Sequence, residues 1–246
     1  CSEQEAIGFR EFGLKQPIGI LPNGINDQMF QNDLVINDFK LVNNIPNTKK
    51  VLLFLSRIHP IKGIELLIDS IISLRKTFEI NNWVLVVAGI NENKYQEVLE
   101  NKVHLHRLSS IVKFIGPQYG VQKLKAFAAA DCFILPSINE NFGIVVIEAL
   151  ASGIPVIATK RTPWEDLVIH KCGWWVERLK DSLSSVLKEL MLKKTDGLKQ
   201  MGENGKKLVQ EKYLWHPIAK QSLSLYQWVL NDFDDSFKNG FTLFDG

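Results

Sequence analysis

Short apolar runs alternate with amphipathic stretches through the middle of the chain, and this alternation predicts strands separated by helices. The runs are KVLLFLS (50–56), WVLVVAG (83–89), VKFIG (112–116), DCFILPS (131–137) and GIPVIAT (153–159). Each is short, apolar and bounded by turn-forming residues, as a buried strand is. Helices are expected over 63–78, 92–99 and 121–130, and from near Phe142 or Gly143 to Ser152. Asn139 and Asn141 are placed to cap the last of these, and Gly153 with Pro155 to stop it. Further helices are expected over 182–193, 197–212 and 217–230. Strand, helix and strand in repetition argue for an α/β fold with a doubly wound parallel sheet, whose ligands bind at the carboxyl ends of the strands. The loops carrying Arg57, Gly89, Gly116 and Glu140 lie at those ends. Gly89 and Gly116, without side chains, would let backbone approach a ligand there, or are ordinary turn glycines.

The helix beginning near Gly143 is apolar on every side except at Glu148, and should be largely buried. A carboxylate in such a place is unfavourable unless it is hydrogen-bonded or paired. Two partners suit it. One is a ribose, whose vicinal hydroxyls match two acceptor oxygens; the other is a buried Lys or Arg, in which case Glu140, eight residues earlier, is a solvated loop residue. The amides of Phe142 to Val145 at the helix start favour an anion such as a phosphate, and Glu140 would lie near whatever that phosphate carries.

The stretch ENFGIVVIEALASGIPVIAT resembles the E-x7-E motif of retaining glycosyltransferases of family 4, which have the GT-B fold. RIHPIKG, with Arg57 and Lys62, and ILPNGIN, with Asn23 and Gly24, are similar to two further motifs of that family, in the same order. The resemblance runs from about Ser2 to about Tyr226. It implies a Rossmann-like sheet forming one GT-B lobe, followed by C-terminal helices, and transfer of a sugar from a nucleotide-diphosphate donor with retention. The acceptor would be a saccharide or a lipid-linked glycan. By this resemblance Arg57 and Lys62 bind and stabilise the leaving diphosphate, the backbone of Asn141, Phe142, Gly143 and Ile144 assists, Glu148 holds the ribose and Glu140 contacts the donor sugar. The base is held near Ile115 and Gly116, mostly by backbone, with Gly89, Asn23 and Gly24 completing the donor site. Asn141 stands where the family often has Gly or Pro, which leaves backbone binding intact and alters contacts to the sugar. Glu140, Arg57 and Lys62 are the candidate catalytic residues. Neither metal nor cofactor is implied, because two cations and a helix N-terminus stabilise a leaving diphosphate themselves. Two alternatives remain: a nucleotide-sugar-binding module without catalysis, and a GT-B relative that is not a transferase, such as an epimerase or a phosphorylase.

All three motifs belong to the second, donor lobe of such enzymes. The chain is therefore read as a fragment, inactive alone, with the acceptor bound through an N-terminal lobe it lacks. Residues 1–16 are a helical lead-in from that lobe, 17–215 the donor-binding domain, and 216–246 a helix and tail that cross back. Without the other lobe, the aromatic tail would be mobile or dock elsewhere.

The 246 residues carry a formal net charge of +2, with no basic run interleaved with aromatics, so nucleic acid is not a favoured partner. No apolar run of about 18 residues or more could span a bilayer. The expected location is cytoplasmic, with peripheral attachment at the inner face of the membrane as a variant. Cys1, Cys132 and Cys172 show no metal spacing, which suits a reducing compartment. Asp232, Phe233 and Asp234 spell a D-x-D, but with no strand before them they read as a solvated chain end. Trp164, Trp174 and Trp175 read as packing residues. His59 lies between the two proposed phosphate ligands, where it is either exposed or in contact with phosphate or acceptor.

Overall fold

The apolar runs form the middle of a parallel sheet because their side chains are apolar toward both faces. A computed structural model describes residues 2–30, 36–234 and 240–244. Its elements are, in order, α1 (Glu3–Glu11), β1 (Ile18–Ile20), α2 (Ile36–Val42), β2 (Lys50–Leu55), α3 (Ile64–Ile80), β3 (Trp83–Ala88), α4 (Tyr95–Leu105), β4 (Val112–Phe114), α5 (Gly120–Ala128), β5 (Cys132–Leu135), α6 (Ile144–Ala151), β6 (Val156–Thr159), α7 (Asp166–Ile169), β7 (Gly173–Val176), α8 (Lys180–Leu192), α9 (Thr195–Lys212), α10 (Trp215–Leu230) and β8 (Thr242–Phe244). Six strands make one sheet in the order β4-β3-β2-β5-β6-β7, every pair parallel.

Alternate residues of a strand point to opposite faces, so each strand feeds two cores. On β2, Val51, Leu53 and Leu55 join Phe127, Val146, Leu150 and Leu208 on one face. Leu52 and Phe54 join Leu67, Ile71, Phe78, Leu99 and Leu187 on the other. Helices therefore cover both sides of the sheet, as its two apolar faces require. β7 was not foreseen as a strand: GWWV reads as an aromatic cluster, yet its backbone extends β6 in register from Val156 opposite Gly173 to Thr159 opposite Val176. α4 runs past Leu99 to Leu105, so His104 falls in its last turn.

β1 lies outside the main sheet and pairs antiparallel with β8, Ile18 opposite Phe244. The tail beyond α10 is anchored by Trp228, buried among Phe233 and Phe241 with ring centroids 4.8 and 5.5 Å away. Asp232 and Phe233 turn the chain after α10 rather than following a strand. Cys132 and Cys172 are free and buried. Cys1 and tail residues 235–239 and 245–246 lie outside the described residues. Among the described residues no helix is long and apolar enough to cross a membrane.

Asp131 ties the first and fourth predicted strands together one residue before their mutual pairing begins at Leu52 and Cys132. Its Oδ2 accepts from the Val51 N–H at 2.8 Å, while its own N–H donates to the Val51 carbonyl at 2.9 Å. Removing the acceptor leaves the Val51 N–H without its partner, so Asp131→Ala should lower stability by about 1–3 kcal/mol. Burial raises the Asp131 carboxyl above its ordinary pKa, with the Val51 bond opposing. A carboxyl raised by folding stabilises the fold below its unfolded pKa, and that contribution is lost as pH rises through the folded value. Asp131→Asn keeps an acceptor and removes this dependence. In urea melts over roughly pH 3 to 7 the stability difference should move in favour of Asp131→Asn as pH rises.

Candidate functional site

The strand order reverses between β2 and β5, and the loops leaving these two strands, 56–63 and 136–143, meet over that switch point. Open α/β sheets place ligands in this crevice because the loops diverge to either side of it. Here the loops are knitted together at their bases. The Ile138 N–H donates to the Ile61 carbonyl at 2.7 Å. Gly63 packs so closely on the Pro136 carbonyl that a Cβ would collide with it, and its φ of 72° also favours glycine.

On this base Lys62 and Glu140 form an ion pair, Nζ to Oε2 at 2.6 Å, with side chains only 10% and 17% exposed. Ser137 Oγ donates to the same carboxylate oxygen at 3.3 Å. Arg57 stands at the mouth, 56% exposed, with Nη1 3.1 Å from Glu92. His59 is half-buried, and its Nδ1 accepts from the Ile61 N–H at 3.2 Å and caps the short 3-10 turn that carries Lys62.

α6 starts differently from the sequence expectation. Neither Asn139 nor Asn141 caps it; its N-cap is Gly143, at φ 78°, with no side-chain hydrogen bond. The sharp left-handed turn at Gly143 carries the chain directly into the helix, so the first-turn amides are left without a side-chain cap, although that of Val146 donates to the Gly143 carbonyl at 2.8 Å. α3 begins in the same way at Gly63. Two uncapped helix starts therefore flank the Lys62–Glu140 pair. Asn141 is exposed, Phe142 is buried and Ile144, at the helix start, is half exposed.

Glu148 lies one turn into α6 and meets Lys123 from α5, Nζ to Oε1 at 2.5 Å, the side chains 26% and 12% exposed. Its other oxygen, Oε2, is buried and accepts no hydrogen bond. Of the two partners considered from the sequence the lysine is present: it satisfies half of the carboxylate, and the other half has no hydrogen-bond donor among the described residues. Glu140 is a paired, mostly buried group rather than a solvated one.

Residues 35–208 match the model of the glycosyl transferases group 1 family. The chain belongs to that family. An uncharacterized glycosyltransferase of Methanocaldococcus jannaschii is 30% identical over 215 residues, 85% of this chain and 54% of that protein. Sucrose-phosphate synthase from Thermosynechococcus elongatus superposes with a TM-score of 0.79 at 25% identity, over 94% of this chain and 57% of its own. Alr3699/HepE of Anabaena, crystallised with UDP-glucose, superposes with a TM-score of 0.79 at 21% identity, over 92% of this chain and 62% of its own, a likeness of fold. The chain spans about half the length of the curated relatives it matches.

Within this group 1 domain the remaining candidates sit at different depths. Ile115 and Gly116 follow β4. The Ile115 N–H donates to the Val87 carbonyl, its carbonyl accepts from Gln118 Nε2 at 3.2 Å, and the Gly116 carbonyl accepts from Gly89. Gly116 has open space where a Cβ would stand and a φ of 71°, a turn conformation that favours glycine. Gly89 does not: a Cβ there would collide with the Ser56 carbonyl, so its lack of side chain serves the packing of β3 against the end of β2. Gly24 similarly makes room for the Trp215 ring. The turn of Asn23 and Gly24 reaches the site indirectly, since the Ile25 N–H donates to the Tyr213 carbonyl and the Tyr213 ring lies 5.9 Å from that of Phe142.

Sequence reasoning missed Lys123 and the role of Trp164. Lys123 carries no motif; only the need of Glu148 for a cation pointed toward such a residue. Trp164 was read as packing, and it is fully buried, 5.4 Å from the Phe142 ring. It also donates Nε1–H to the Phe142 carbonyl at 2.5 Å. Behind it, Thr159 Oγ1 donates to the Ser137 carbonyl at 2.8 Å, Thr162 Oγ1 to the Thr159 carbonyl at 2.7 Å and Trp175 Nε1 to the Thr162 carbonyl at 3.0 Å. Tyr213 closes the aromatic group with its hydroxyl on Asp166 Oδ2 at 2.9 Å, and burial together with that carboxylate pushes the phenol pKa well up. Trp164→Phe keeps a smaller aromatic ring and removes the donor, leaving the Phe142 carbonyl unpaired beside a small cavity. It should cost about 1–3 kcal/mol in denaturant melts, and an unchanged midpoint would show that the bond holds nothing.

Proposed function

We propose that this chain binds the nucleotide-diphosphate sugar donor of a retaining glycosyltransferase of family 4. The observation that carries the reading is the pair of carboxylates on α6 and its leading loop: Glu140 held by Lys62 at the switch point, and Glu148 with one buried oxygen open. A diphosphate would lie over the uncapped starts of α3 and α6, where dipoles and amides favour an anion. Lys62, already beside it, supplies a compact charge, and Arg57 a fork for two phosphate oxygens. Glu148 takes the ribose, Glu140 the sugar hydroxyls, and the loop around Ile115 and Gly116 the base. Group 1 membership and the fold shared with a protein crystallised with UDP-glucose support this assignment.

As the bond between sugar and diphosphate breaks, negative charge grows on the leaving oxygen, and preorganised cations and amides stabilise it there. With those groups in place no metal is required. Retention follows a front-face route in which the departing phosphate takes the acceptor's proton, so no protein base is needed from this domain. The acceptor, a saccharide or a lipid-linked glycan, comes from a lobe beyond residues 17–215, the donor-binding unit. Residues 1–16 lead in from that lobe and 216–246 return toward it, in the cytoplasm, with peripheral attachment at the inner face of the membrane as a variant.

Calorimetric titration with UDP, GDP and ADP and their sugar conjugates tests the reading. One nucleotide should bind, with Glu148→Ala and Arg57→Ala each weakening it about tenfold or more, the loss of a hydrogen bond to a charged group. Binding indifferent to both substitutions, or no binding by the folded chain, would count against it.

A further inference from the structure

The single charge on an apolar helix requires an explanation for each of its oxygens, and Lys123 explains only one. Lys123 projects from the first turn of α5, directly after the loop that contains Ile115 and Gly116, and reaches Glu148 in the middle of α6. Around Glu148 the helix offers Ile144, Val145, Val146, Ile147, Ala149, Leu150 and Ala151, none with a side-chain donor for Oε2, and the hydroxyl of the C-cap Ser152 donates instead to the Glu148 backbone carbonyl at 2.9 Å. Few buried polar atoms in native proteins go without a partner, so an orphan carboxylate oxygen at this depth calls for a donor that the described side chains do not supply.

We infer that Lys123 is a positioning residue that reads the sugar of the nucleotide: it draws Oε1 of Glu148 toward α5 and so presents Oε2, and the resulting Lys–Glu pair selects a ribose with free 2′ and 3′ hydroxyls. This rests on the donor-site reading above. A carboxylate only accepts, whereas an ammonium only donates. A hydroxyl does both. Of two vicinal hydroxyls one donates to Oε2 and its neighbour accepts from Nζ, a match that neither a phosphate nor a ring without hydroxyls can make. The geometry also depends on lysine in particular. A guanidinium fork would take both carboxylate oxygens at once and close the position that lysine leaves open.

The test compares the nucleoside diphosphate among UDP, GDP and ADP that the wild-type chain binds most tightly with its 2′,3′-dideoxy analogue, by calorimetry. The wild type should prefer the ribonucleotide by about tenfold or more, the range for a hydrogen bond to a charged group. Lys123→Met should lose most of that preference while its affinity for the dideoxy analogue changes little. Lys123→Arg, which retains the charge and leaves no carboxylate unpaired, should lose the preference as well. The inference is overturned if either variant keeps the wild-type preference. It is also overturned if Lys123→Met weakens both ligands equally, which would make Lys123 a general attractor of the diphosphate. A wild-type chain that binds the ribonucleotide without preferring it overturns this inference and the ribose role of Glu148, and leaves the diphosphate site standing. A folded wild-type chain that binds none of the three overturns both readings.

Discussion

The site depends on one close approach, the seating of Gly63 on the Pro136 carbonyl. It brings the end of β5 against the start of α3, and the Ile138–Ile61 backbone hydrogen bond holds the same junction. With the junction closed, Lys62 and Glu140 have no freedom to be far apart, although they are 78 residues apart in the chain. Parallel strands cannot be joined by hairpins, so residues brought together at their carboxyl ends always come from distant segments. A side chain at Gly63 would separate the loops and with them the two charges.

Both lysine–carboxylate pairs of the site are costly structures if judged by stability alone. Removing charges from water carries a penalty that mutual attraction offsets only with good geometry and further hydrogen bonds. The Lys62–Glu140 pair receives one such bond, from Ser137, and the Lys123–Glu148 pair leaves an oxygen bare. Well-packed apolar residues would fill these positions at no loss to the core. Charges kept in place at such a cost make sense where a polar, negatively charged ligand completes their partners.

Much of this was legible in the sequence, and for identifiable reasons. The strands that form the sheet centre are apolar on both faces, so β2, β3 and β5 stand out as continuous runs, and the helices between them follow from their periodicity. Glu148 stands out because it is the only charge in an apolar helix. What was not legible depends on contacts between segments distant in the chain. β7 hides because its paired tryptophans resemble a packing cluster, and only its pairing with β6 makes it a strand. Asn139 and Asn141 have the chemistry of caps, yet the left-handed turn at Gly143 places the helix start beyond their reach. Gly89 sits where a ligand-facing glycine would, but its neighbour is the Ser56 carbonyl, which belongs to another strand. Lys123 has no local signal at all, since its meaning arises across the gap between α5 and α6.

The site divides into a braced part and an exposed part, and the division follows from burial. Lys62, Glu140 and the start of α6 are held from behind by a continuous relay: Thr159 holds Ser137, Thr162 holds Thr159, and Trp164 holds Phe142. Each of these side chains is buried, so the loop they support cannot relax without leaving polar groups unpaired. Arg57 has no such backing; an exposed pair with Glu92 is worth little and is readily exchanged. A group that stabilises charge must be in place before the charge appears, whereas a group that clamps an arriving ligand must first be out of its way. In the proposed donor site Lys62 has the placement of the former and Arg57 that of the latter, so the two cations that look alike in the sequence would serve different moments of the same event.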